Sequence, residues 1–190
     1  MFAKKNKYFL LIENIKDIDL KNIKIRNKFS IVYRNNAKID NIKELIKFRR
    51  NCKVKAIRFY VANNYALAVS LNADGIYLSS FNKSLNSLNY RKTKFEIIGS
   101  AHNFKEITYK MKQGCSSILL SKLFLVNYKK SAPFLGIIKF NNYLKVYKNL
   151  IPLGGINLNN LIALKNVNST GLALLSEIKK KPAKIFNRLF

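Results

Sequence analysis

The sequence predicts an α/β protein, a short (β/α)8 TIM barrel with parallel strands. Two observations carry that prediction. Short apolar runs alternate with amphipathic segments, and eight such runs recur at roughly 20–25 residues along the chain. Each run is apolar on nearly every position, as strands covered on both faces are. Eight parallel strands with crossover connections close into a ring, and 190 residues is the short end of the barrel range. An open, doubly wound sheet is the structural alternative. The chain reads as one domain, 1–190, without linker or low-complexity segment.

YFLLIEN (8–14) is the first strand and FSIVYR (29–34) the second; the connection between them, 17–28, is weak as a helix. IDNIKELIKFRRN then places Ile39, Ile42, Leu45 and Ile46 on one helical face, with Asn41 and Glu44 at capping-box spacing. IRFYVA (57–62) is the third strand, followed by a short helix over 64–72; DGIYLS and FEIIGS are the fourth and fifth strands. The clearest helix has Asn103 as cap, Glu106 completing its box, Phe104, Ile107 and Met111 on a face, and Gly114 as its stop. SSILLS is the sixth strand, 128–148 holds helix and loop, LIPL is the seventh strand, 158–164 a helix, and GLALLS the eighth strand. Pro182 opens a closing basic helix whose apolar side carries Ile185, Phe186 and Leu189.

Apolar residues make up 48% of the chain, yet no run approaches the roughly 18 needed to cross a bilayer. The basic N-terminus leads into only five apolar residues before charge returns, a poor signal peptide and a good first strand. Cys52 and Cys115 stand far apart and His102 is the sole histidine, so a zinc site is excluded and the thiols read as inert, in a cytoplasmic protein. The net charge of +27 suggests anionic partners. It is spread over nearly every segment, and the accompanying abundance of Asn, Ile, Phe and Tyr matches AT-rich codon usage, so nucleic acid is not the favoured partner.

IPLGGINLNN (151–160) ends an apolar strand on two glycines and continues into an asparagine-capped turn. Bare glycine amides, next to the positive end of a helix, suit a phosphate. In (β/α)8 barrels the loops after strands seven and eight commonly hold one, and here those loops carry Gly154, Gly155 and Ser176.

Four motifs, LNADGIYLS, IIGSAHNFKEI, IPLGGIN and TGLALLSEI, then stand in an order and spacing that resembles thiamine phosphate synthase and its TenI-like relatives. The likeness runs from about Tyr8 to Ile178, and the family fold is the (β/α)8 barrel. The resemblance implies a transferase that joins hydroxymethylpyrimidine pyrophosphate to thiazole phosphate and releases pyrophosphate. Pyrophosphate leaves first and the thiazole nitrogen captures the resulting pyrimidine cation. Mg²⁺, a lysine, an arginine and backbone amides serve that chemistry, and phosphorylated heterocycles are the partners it implies; a homodimer stays open.

Carried over by position, the resemblance assigns His102, Arg34 and Lys129 to catalysis and Ser100, Arg34 and Lys129 to the pyrimidine pyrophosphate. It gives Gly154, Gly155 and Ser176 to the thiazole phosphate. The two metal carboxylates fall at Asn63 and Asn82, both amides, and a glutamine becomes Ser80. The monophosphate end therefore looks retained and the magnesium–pyrophosphate end eroded, with Lys83, Lys122, Lys129 and Lys130 near enough to supply positive charge instead. A TenI-like thiazole isomerase using His102 as acid and base, or a barrel that only binds thiazole phosphate, is the alternative. A basic nucleic-acid-binding protein is the further one. Tyr33, Tyr60, Tyr65 and Tyr77 are candidates to stack on a heterocycle. Asp74 is read as a support for backbone, Glu96 and Glu106 as solvated or capping.

Overall fold

The computed structural model describes residues 5–35, 40–86, 89, 95–126 and 133–175. All eight expected strands form: β1 Lys7–Ile12, β2 Phe29–Tyr33, β3 Arg58–Ala62, β4 Gly75–Leu78, β5 Glu96–Ala101, β6 Ser117–Ser121, β7 Leu150–Leu153 and β8 Gly171–Leu174. They make one sheet of order β7-β6-β5-β4-β3-β2-β1-β8, and every pairing in it is parallel. Among the described residues four α-helices lie between strands: α1 Ile42–Val54, α2 Tyr65–Ser70, α3 Phe104–Lys112 and α4 Gly136–Val146.

The ring is nearly closed. β7 and β8 lie side by side without a backbone ladder. The carbonyls of Asn149 and Leu153 accept from Ile118 and Leu123 on the β6 side, so by strand alternation Leu150 and Pro152 face β8. Pro152 has no N–H to give there, which explains why the seam falls at this pair. A clasp replaces the ladder: the Ser169 hydroxyl donates to Leu150 O at 2.7 Å. The buried Lys5 ammonium donates to Val167 O at 2.9 Å and Ser169 O at 3.0 Å. Burial lowers the Lys5 pKa to about 8.

Strand alternation divides the core. Phe9, Leu11, Val32, Tyr60, Tyr77, Ile98, Leu119, Ile151 and Ala173 point into the barrel and fill it. The other strand faces pack outward against the helices, as Leu10, Ile31, Phe59, Ile118 and Leu172 do. At the N-terminal end the interior closes on Glu96, which accepts from Arg58 Nη1 at 2.6 Å, Tyr60 Oη at 2.7 Å and Ser116 Oγ at 2.7 Å. Glu96 is thus a half-buried, hydrogen-bonded residue rather than a freely solvated one. Burial acts to raise its pKa, but the Tyr60 and Ser116 bonds and Arg58 outweigh that and hold it below the ordinary carboxylate range. Asp74 supports backbone as expected: it accepts from Phe59 N at 2.7 Å and from Arg49 Nη2 at 3.1 Å.

Several local expectations are corrected. The first crossover is two short 3-10 turns, Ile15–Asp17 and Leu20–Asn22, which fits its poor helical pattern. The segment after β7 is a 3-10 helix, Leu161–Asn166, rather than an α-helix from 158. In α1 the buried face is Leu45, Phe48, Arg49 and Cys52; Ile42 is exposed, and Asn41 caps Lys43 N without a box. Ile39 lies outside the described residues. In α3 the buried residues are Ile107 and Lys110, while Phe104 and Met111 are largely exposed. The closing helix over Pro182, Ile185, Phe186 and Leu189 lies outside the described residues. Burial pushes the Cys52 thiol up to about 12, consistent with inert cysteines.

Candidate active site

A cavity of about 250 Å³ opens at the C-terminal ends of the strands, the face on which barrels of this kind carry their sites. Its wall includes Arg34 after β2, Tyr77 and Ser79 at the end of β4, Ser100 of β5, His102, Ser121 and Lys122 at β6, and Gly154 and Gly155 after β7. Two cations, an imidazole and a set of hydroxyls face it, and no carboxylate is among its described lining residues. That polarity suits an anion.

His102 is set by the turn from β5 into α3. Glu106 accepts from His102 N at 2.7 Å and from Asn103 Nδ2 at 2.8 Å, while Asn103 Oδ1 accepts from Glu106 N at 3.0 Å. The box expected for Asn103 and Glu106 therefore reaches one residue further back, to the histidine's own amide. The imidazole Nδ1 lies 2.7 Å from Ser121 Oγ, which fixes the ring toward the end of β6. Ser100 is buried, and Ser100 and Arg34 line the cavity with Tyr77. Burial pushes the Tyr77 phenol up, against the opposing influence of Ser100 and Arg34.

Gly154 and Gly155 adopt φ of +91° and +71°. A Cβ on Gly155 would stand 2.4 Å from Phe124 O and 2.6 Å from Leu125 O, so the loop after β6 packs directly on it. A Cβ on Gly154 would stand 3.2 Å from Lys122 Cα. Neither glycine's amide donates to a described residue. The asparagines that follow organise the turn instead of capping an α-helix: Asn160 Nδ2 donates to Gly155 O at 2.7 Å and Asn157 Oδ1 accepts from Asn159 N at 2.9 Å. The helix dipole expected behind the glycines is thus replaced by a bare amide turn. Ser176, Lys129 and Lys130 lie outside the described residues.

The sequence matches the family described as thiamine monophosphate synthase over residues 3–178. The chain belongs to that family. It is 31% identical to the thiamine-phosphate synthase of Prochlorococcus marinus strain AS9601 over 174 residues, covering 88% of this chain and 48% of that protein. It is 29% identical to the thiamine-phosphate synthase of Flavobacterium psychrophilum over 71% of this chain and 70% of that protein. The chain spans about half the length of the Prochlorococcus relatives it matches. Thiamine phosphate pyrophosphorylase from Pyrococcus furiosus superposes with a TM-score of 0.73 at 16% identity, covering 100% of this chain and 98% of that one, which establishes the shared barrel.

The magnesium ion that membership of the thiamine monophosphate synthase family implies does not fit the residues at its expected place. Asn63 Oδ1 accepts from Ser79 N at 3.1 Å and Asn82 Nδ2 at 3.0 Å, and Asn82 Oδ1 accepts from Ser84 N at 3.0 Å. Both are neutral, Asn63 Oδ1 already accepts twice and Asn82 Oδ1 once, and they border a neighbouring cavity of about 180 Å³ rather than the main one. No cluster of three His, Cys, Asp or Glu able to hold a metal exists among the described residues.

Of the tyrosines considered for stacking, only Tyr77 reaches the cavity. Tyr33 packs on Phe59, Tyr60 bonds Glu96 inside the barrel, and Tyr65 meets Phe95 edge-on. The residue missed in sequence is Phe81, 73% exposed at the cavity rim. Its signal is an aromatic in the otherwise polar run SSFNKS. Ser80 lies beside it on the same rim, and Lys83 does not line the cavity.

Proposed function

We propose that the chain is a thiamine phosphate synthase, joining hydroxymethylpyrimidine pyrophosphate to thiazole phosphate with release of pyrophosphate. The observation that supports this most is the cation-lined mouth beside the Gly154–Gly155 turn, with no carboxylate among its described lining residues, in a chain of this family. The unspent glycine amides, with Ser176, take the thiazole phosphate. Arg34 and Lys122, joined by Lys129, take the pyrophosphate. Tyr77, Ser100 and Phe81 hold the pyrimidine. The reaction asks for stabilisation of departing charge and for alignment of the thiazole nitrogen, so no nucleophilic side chain is needed. The protein acts in the cytoplasm on small phosphorylated heterocycles.

His102 supports a second reading. Its imidazole reaches the cavity, oriented by Ser121, as an acid–base group would be. That suits a TenI-like isomerase acting on a thiazole carboxylate phosphate. Mixing the two synthase substrates decides: pyrophosphate release establishes the first reading, and thiazole phosphate binding without release, together with His102-dependent isomerisation, establishes the second.

A further inference from the structure

The place where a divalent ion would serve the pyrophosphate is filled by a closed hydrogen-bond bracket. Asn63 and Asn82 bond each other and Ser79, as described above. The main-chain carbonyl of Asn82 is spent as well: it accepts from Lys110 Nζ at 2.7 Å and Gln113 Nε2 at 3.1 Å. Lys110 is 1% exposed, its ammonium bonded to neutral oxygens only, Asn82 O and Gln113 Oε1. Its stem fits because Gly99 has no Cβ, which would otherwise stand 2.9 Å from Lys110 Cδ. Gln113 continues the bracket to Ser84 O at 2.7 Å. The loop after β4 is therefore held in place by a lysine and a glutamine of α3 and its cap, the role an ion would otherwise fill by drawing loop oxygens together. Magnesium needs near-octahedral oxygens, with carboxylates among them, and here each asparagine oxygen is already an acceptor and no carboxylate is among the described residues that line the cavity.

Across the mouth, Lys122 lines the cavity with no hydrogen bond or ion pair from its ammonium to any described residue. Arg34 faces it without a carboxylate partner among the described residues. We infer that this mouth binds a pyrophosphate group without a divalent ion, on Lys122 and Arg34, with the Asn63–Asn82–Lys110 bracket standing where the metal would be. The inference rests on the synthase reading for its substrate. In the transfer, the methylene C–O bond breaks with its electron pair going to the pyrophosphate oxygen, and the thiazole nitrogen's lone pair forms the new C–N bond. Nothing is oxidised or reduced and no proton must move. The demand is for fixed positive charge at the departing oxygens, which two side-chain cations supply.

Calorimetric titration of the whole chain with sodium pyrophosphate, once in EDTA and once in excess magnesium, tests it. Binding in EDTA that magnesium tightens by no more than about threefold is expected. A larger gain, or no binding in EDTA, overturns it. Lys122→Gln, checked for an unchanged melting temperature, is expected to weaken pyrophosphate about tenfold or more in EDTA while leaving thiazole phosphate affinity within about threefold. Equal binding by the variant overturns the assignment. Pyrophosphate bound in EDTA, with no release from the mixed substrates in either buffer, strikes the synthase reading alone and upholds the metal-free anion site.

Discussion

His102 Nδ1 and Ser121 Oγ are 2.7 Å apart, and this contact joins the turn after β5 to the last residue of β6. It holds the one histidine at the cavity, its Nε2 without a hydrogen bond to any described residue. On the isomerase reading, Ser121→Ala is expected to lower isomerase turnover about tenfold with KM little changed, because the ring loses its orientation rather than its chemistry. Steady-state kinetics of wild type and variant check it; an unchanged kcat means that the serine does not position the imidazole.

Phe81 is a large aromatic left exposed at the rim. Phe81→Ala is expected to weaken the pyrimidine substrate by about tenfold, the order of one lost aromatic stacking contact, and to leave folding stability within about 0.5 kcal/mol. Competition between substrate and pyrophosphate, together with a urea melt, separates the two effects.

The paired glycines are expected to behave differently. Gly155→Ala drives a methyl into Phe124 and Leu125 carbonyls at a positive φ, and should cost about 3 kcal/mol or more in urea denaturation. Gly154→Ala meets only Lys122, also at a positive φ, and should cost about 1–2 kcal/mol while displacing that lysine and weakening anion binding.

Much of the frame was legible in the sequence, and what escaped has physical causes. All eight strands were readable because each is a run apolar on both faces, FSIVY and SILLS for instance, bounded by turn residues. The 3-10 segments were not, because their few residues give too little periodicity to separate them from loop or helix. Helix faces were misjudged where a polar residue is buried. Neither Arg49 nor Lys110 was among the face residues expected from the sequence, yet one bonds Asn72 O and Asp74, and the other bonds Asn82 O. Their burial depends on carbonyls and a carboxylate at least 23 residues away in sequence. The Gly154–Gly155 turn announced itself through its glycines, whereas the use of Asn63 and Asn82 on each other is visible only once β3 and β4 are side by side.

Glu96 gives a pH prediction. Its folded pKa is held below the ordinary value, so between the two values the unfolded chain binds more protons. Its contribution is full above the unfolded carboxylate pKa and is lost as pH falls through the lowered folded value. Glu96→Gln is expected to destabilise the protein near neutrality by about 1–3 kcal/mol and to flatten the acid limb of a stability–pH curve. A variant curve parallel to wild type removes the assignment.

Asp74 and Arg49 give a structural one. Asp74→Asn leaves the Phe59 amide an acceptor but strips Arg49 of its carboxylate, and should cost about 1–3 kcal/mol, read from urea denaturation. Arg49→Lys should lose a similar amount, because an ammonium cannot hold Asn72 O and Asp74 together as the guanidinium fork does.

Pro152 sets where the circle of strands is discontinuous, and that break lies inside the chain, whereas β1 and β8, the two ends, are knitted by a full ladder. New termini introduced between β7 and β8, with the old ones joined, would sever no strand pairing. The ring's weakest junction lies between its seventh and eighth strands rather than between its first and last, so its natural opening point falls after about four-fifths of the 190 residues.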